Sequence, residues 1–184
     1  MKVINKIESS KKILELDLNR FPEQIFKCSQ RAGIKNFIES YPAKYYAIRD
    51  KSRSSGVFKL KVESQDIMSE VEGYDIFSIN VSSYNYVQDQ LLVGEIVICD
   101  STVSAILSTN KEYSVRDAIR DPDFNFITSI FDDKLLNEIP CFDKVYEYIV
   151  KHELQNVIVE FAYFSKNVGI NNDNIIIYEL RTHY

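Results

Sequence analysis

The chain has 184 residues, 45% of them hydrophobic and 27% charged, with a net charge of −5. That is the length of one ordinary domain, enough to bury a core without staples, and the composition is globular rather than disordered. The negative balance argues against a general nucleic-acid binder.

Three widely separated cysteines, Cys28, Cys99 and Cys141, give neither metal-ligand spacing nor a disulfide framework, and read as free thiols in a reducing compartment. The N-terminal "MKVINKIESSKKILEL" has no long apolar run, so no signal peptide is expected. No stretch approaches a membrane span, and the expected location is the cytoplasm.

Residues 22–41 read as a helix, because Ile25, Phe26, Ile34, Phe37 and Ile38 recur at roughly helical spacing behind Pro22, and Pro42 ends the run. "YYAIRD" is a strand, "KSRSSG" a flexible basic turn, and "VFKLKVE" a second strand. Its strict alternation predicts one buried face and one face carrying Lys59 and Lys61. "YDIFSINVS" is a further strand, and "YNYVQDQLLVGEIVICDSTVSAILS" a linker running into two strands that turn near Asp100 and Ser101. "YSVRDAIRDP" reads as a short helix or turn. "DDKLLNEIPCFDKVYEYIVKHEL" reads as helical, with Pro140 starting its second helix. Two strongly apolar strands joined by a polar loop close the chain. The expected fold is α+β with mainly antiparallel sheets, a single domain over 1–184 with two small lobes at 43–88 and 89–184.

The closing strands carry one glutamate each. Alternation puts Ile175, Ile177, Glu179 and Arg181 on one face of the last strand, and Ile158, Glu160, Ala162 and Phe164 on one face of the strand before it. A register pairing Phe164 with Ile175 sets Glu160 opposite Glu179, and a slip of one residue separates them. Opposed like charges need compensation by a shared proton, a cation such as Arg181, or a metal. Mg²⁺ uses one or two carboxylates plus substrate phosphates, and an arginine suits a phosphate oxygen. Solvated strand residues, or an internal ion pair with Arg181, account for the same pattern. His152 lies at a helix end, where a cation suits the dipole, and His183 is next to the chain end; neither makes a persuasive metal site.

"VEFAYF" and "NIIIYELR" resemble the closing strands of the ATP-grasp superfamily, where acids on two neighbouring strands bind the Mg²⁺ of MgATP and a basic residue shortly after contacts phosphate. The resemblance implies Glu160 and Glu179 as metal ligands, with Arg181 on the phosphates. "YYAIRDKSRSSGVFKLKV" is similar to the family's strand, flexible loop and strand over the nucleotide. It implies Arg49 reaching the phosphates, Ser54, Ser55 and Gly56 at the loop tip, and Lys61 neutralising phosphate charge. "YNYVQDQLLVGEIVICD" resembles the hinge and the "GE" strand, which implies Gln88 beside the adenine and Glu95 at the nucleotide. Arg49 and Arg181 are then the catalytic candidates, ATP and Mg²⁺ the cofactors, and ligation through an acyl phosphate to an unnamed small-molecule acceptor the implied activity. The alternative is a non-catalytic α+β interaction or regulatory protein whose acids and arginine form internal pairs.

Overall fold

The computed structural model describes residues 6–51 and 58–182. The chain divides into two compact units, one formed by Phe21–Val87 and the other by the residues up to Arg20 together with those from Gln88 onward. Helix α1 (Lys6–Glu15) belongs to the second of these.

The Phe21–Val87 unit holds strand β1 (Glu23–Lys27), helix α2 (Arg31–Ser40), strands β2 (Tyr45–Asp50) and β3 (Phe58–Glu63), helix α3 (Ile67–Glu70) and strand β4 (Ile76–Val81). Its sheet is antiparallel in the order β1-β4-β2-β3. The helix expected over 22–41 is therefore half strand. Of the five β1 residues Phe26 alone is buried, and it pairs with Phe77 of β4. The Lys27 N–H donates to the side chain of Gln30, closing the turn before α2. A five-residue apolar segment is not assigned by periodicity alone, and pairing with β4 decides it. The two lysines of β3 also part company, because the β2–β3 register shifts between Tyr46 and Ile48. Lys59 pairs with Glu70 of α3, whereas the Lys61 ammonium lies over the Tyr84 ring, 4.1 Å from its centroid. Of the β3 side chains only Val62 is buried.

A kinked 3-10 segment, Ser83–Asp89, leads back. There follow β5 (Gln90–Cys99), β6 (Thr102–Ser108), α4 (Val115–Arg120), β7 (Phe124–Ser129), α5 (Asp133–Leu136), α6 (Phe142–Lys151), β8 (Val157–Val168) and β9 (Asp173–Thr182). The five strands form one antiparallel sheet in the order β7-β6-β5-β8-β9. Asp100, in a left-handed conformation, makes the expected turn between β5 and β6. Ser114 and Asp117 form a capping box that starts α4. Pro140 lies outside α6, which starts after Cys141 as N-cap. Strand β7 was not expected: the sequence reading passes from α4 to α5 without it. The core packs Val157, Val159 and Phe161 of β8 and Ile175, Ile177 and Leu180 of β9 against Val145 and Ile149 of α6 and Ile13 of α1. Each large apolar side chain so buried contributes about 1.5–3 kcal/mol. Among the described residues no helix is long and apolar enough to cross a membrane.

Candidate functional site

The β8–β9 hairpin is pinned by a residue distant in sequence. Asn19 is 1% exposed, and its amide donates to the carbonyls of Val168 and Ile175, both at 2.8 Å, while its side-chain oxygen accepts from the N–H of Asn171. The Asn19 N–H donates to the hydroxyl of Tyr148 on α6. Gly169 at the hairpin turn has φ +77, and a Cβ there would stand 2.5 Å from the Asn19 side-chain oxygen, so this clamp requires glycine.

Within the hairpin, Tyr163 pairs with Ile175, Ala162 with Ile176 and Phe161 with Ile177; the register then shifts, and Glu160 pairs with Glu179. Glu160 does fall opposite Glu179, but Phe164 does not pair with Ile175. The extra residue is Tyr178, a bulge that resets the alternation. The expected grouping of Ile175, Ile177, Glu179 and Arg181 is corrected accordingly. Ile175, Ile177 and Leu180 face the core, and Glu179 and Arg181 stand on the opposite face.

That face holds a third acid. β5 lies beside β8, and Glu95 pairs with Glu160. Glu95, Glu160 and Glu179 therefore form a row across three neighbouring strands. Arg181 spans part of it: its guanidinium pairs with Glu95 and lies 3.1 Å from Glu160. The Glu95 and Glu160 side chains are 18% and 20% exposed, so their charges are partly withdrawn from water and interact more strongly than on an open surface. The face thus gathers three carboxylates and a guanidinium on three neighbouring strands. The donors are hard oxygens, the type Mg²⁺ prefers. Among the described residues no group of three or more His, Cys, Asp or Glu side chains is gathered closely enough to hold a metal ion unaided.

The sequence reading missed Glu95 as a neighbour of Glu160, since nothing local signals pairing between strands so far apart in the chain. The other candidates lie as follows. The Arg49 guanidinium, in the Phe21–Val87 unit, stacks on Phe58, 4.9 Å from its ring centroid, and Lys61 is held over Tyr84 as described. Ser54, Ser55 and Gly56 lie outside the described residues. Gln88 is the last residue but one of the 3-10 segment, and its carbonyl accepts from the Lys111 ammonium at 2.9 Å. The neighbouring Gln90 is 5% exposed and spends its side-chain amide on the carbonyls of Asn110 and Tyr113.

No family model matches the sequence, and no curated protein matches it. Solved structures similar to the chain are ATP-grasp enzymes. D-alanyl-alanine synthetase A of Vibrio cholerae is matched at TM-score 0.47 and 13% identity, over 97% of this chain and 55% of that one. The macrocyclase MdnC of Microcystis aeruginosa, bound with its precursor peptide MdnA, is matched at TM-score 0.49 and 10% identity, over 96% and 50%. N5-carboxyaminoimidazole synthase of Aspergillus clavatus, in complex with ADP, is matched at TM-score 0.49 and 12% identity, over 99% and 45%. The chain spans about half the length of the solved structures it matches.

Proposed function

We propose that this chain binds a nucleoside triphosphate with Mg²⁺ on the acid row of the five-stranded sheet, as a small ATP-grasp-like protein. The observation that supports it is the row itself: Glu95, Glu160 and Glu179 side by side on one face, with Arg181 pairing with Glu95 and Glu160. Like charges on adjacent strands destabilise a sheet unless a cation compensates them. In this reading Glu160 and Glu179 hold Mg²⁺, whose remaining ligands are phosphate oxygens and water. Bound there, the ion would supply charge neutralisation for phosphoryl transfer. Arg181 is a cation at the row, able to exchange a carboxylate for a phosphate oxygen, since both suit its planar fork.

The activity that follows is carboxylate ligation. An acceptor carboxylate oxygen attacks the γ-phosphorus, the bond to ADP breaks, and a nucleophile then displaces phosphate from the acyl phosphate. A thermal-shift titration checks the binding step, because a ligand that binds only the folded state raises its stability, by about 2.7 kcal/mol at a hundred times Kd. ATP with Mg²⁺ is expected to raise Tm, ATP without Mg²⁺ to raise it less, and the Glu160→Ala, Glu179→Ala double variant to abolish the difference. An equal shift in the double variant would sink the reading.

One observation favours a second reading. Arg181 already pairs with Glu95 and Glu160, which is what a non-catalytic protein with an internal charge network requires. Arg181→Ala then lowers Tm with no nucleotide present, and neither ATP nor Mg²⁺ shifts the melting of the unaltered chain.

A further inference from the structure

The five-stranded sheet treats its two edges differently. At the β9 edge the N–H of Ile177 donates to the carbonyl of Asn19 at 2.9 Å, and that of Leu180 to the hydroxyl of Ser9 at 2.7 Å. These outward backbone groups are met from within the chain. β7 is the opposite edge, and β6 is its one partner among the described strands. Ile130, just past β7, donates to the carbonyl of Ser101, which continues the β6–β7 register. Residues of an antiparallel ladder alternate between facing the partner and facing away. Phe124, Phe126 and Thr128 therefore spend their backbone groups on β6, and Asn125 and Ile127 turn theirs to the open edge. The Ile127 side chain is 76% exposed.

Sheet edges are ordinarily blunted by lysine, proline or a covering element. Residues 124–131, "FNFITSIF", contain no proline and no charge. The segment runs on into a groove of about 500 Å³ lined by Ile130, Phe131, Leu136, Ile139, Phe142 and Tyr146, and Phe131 is itself 76% exposed. The flanks are acidic. Residues 121–147 contain seven carboxylates against Lys134 and Lys144, a net charge of −5, which equals that of the whole chain, so the remaining sequence is neutral. Of the two lysines, Lys144 is already engaged by Asp143 and Glu147. Arg120 is the nearest cation before this stretch. A second copy pairing antiparallel through the same edge would bring the acidic flank of one, Asp121 and Asp123, alongside the acidic flank of the other, Asp132 and Asp133. A strand with basic ends meets opposite charge at both.

We propose that the β7 edge and the groove beyond it form a docking surface for an extended segment of a partner protein, apolar at its centre and lysine- or arginine-rich at both ends, which adds a sixth strand to the sheet. Main-chain bonds to Asn125 and Ile127 supply affinity, the groove takes an apolar side chain, and the acidic flanks select basic ends. This stands apart from nucleotide binding and from its test.

The probe is a fluorescein-labelled peptide with a Val-Thr-Val-Phe-Val centre and two lysines at each end, titrated against the full chain by anisotropy. Saturable binding is expected, at least about tenfold tighter than for the same centre flanked by glutamates, and weakening with salt. Amide exchange at Asn125 and Ile127 is expected to slow when the peptide binds. Ile127→Pro removes an N–H that β6 does not use, a position where an edge strand tolerates proline, and is expected to weaken binding at least about tenfold. If that variant does not fold, Ile127→Lys carries the same expectation. No binding, equal binding of the two peptides, binding indifferent to both Ile127 variants, or unchanged exchange at Asn125 and Ile127 overturns the proposal. So does self-association in sedimentation that Ile127→Lys abolishes, which would assign the edge to a second copy.

Discussion

Tyr148 and His152 lie one turn apart at the end of α6, their ring centroids 4.4 Å apart. Burial pushes the Tyr148 phenol up to about 12 and pushes the His152 imidazole below its ordinary value. Both groups are thus held neutral, and the helix-end cation expected of His152 is opposed by desolvation and by Lys151. The signs for stability differ. Tyr148 contributes stability that is complete below pH 10, its unfolded value, and is lost as pH rises through about 12. His152 contributes stability that is complete above pH 6.5 and is lost as pH falls through its depressed folded value. Urea unfolding across pH is expected to show both declines. Tyr148→Phe should flatten the alkaline limb, and His152→Gln the acid one. A second residue-scale outcome concerns Gly94, beside Glu95. Its φ is +151, and a Cβ there would stand 2.1 Å from the carbonyl oxygen of Ile106. Gly94→Ala should cost about 3 kcal/mol or more, read as a lower urea midpoint.

At the scale of elements, the closing hairpin carries the clearest lesson. Deleting Tyr178 leaves Ile175, Ile177 and Leu180 alternating with Ile176, Glu179 and Arg181, with no residue changing face. A cooperative melt is expected to survive that deletion and to be lost on deleting the buried Ile177, as circular dichroism would show. The sequence reading reached the opposition of Glu160 and Glu179 through a register, Phe164 with Ile175, that the hairpin does not use; counting from Tyr163 with Ile175 sets Glu160 opposite Tyr178, and only the bulge brings Glu179 there. The bulge was not legible, since Tyr178 is as good a strand residue as its neighbours. Strand β1 was misread because its two apolar residues, Ile25 and Phe26, fit a helical face as well as a strand. β7 was passed over because its alternation, Phe124, Phe126 and Thr128 inward, contains only three repeats.

For the whole molecule, Phe21–Val87 is contiguous, and its sheet and covering helices lie within that span. Tyr46, Phe26, Phe77, Ile48 and Ile79 give it a core of its own. Expressed alone, residues 21–87 are expected to melt cooperatively but at low stability, as chains of this size bury a smaller fraction of their surface. A non-cooperative melt would show that the other unit is required.

The sequence by itself determined the α+β class, most of the strands and the places of the closing acids on neighbouring strands. These follow from alternation, turn chemistry and residue type, all of which act over a few positions. The tertiary structure decided that Glu95 joins Glu160 and Glu179, that Arg181 rests on two of the three acids, that Asn19 clamps the last hairpin, and that β7 has β6 as its one partner among the described strands. Each of these depends on which distant strands become neighbours, and burial summed over the whole core makes that choice, not any local pattern.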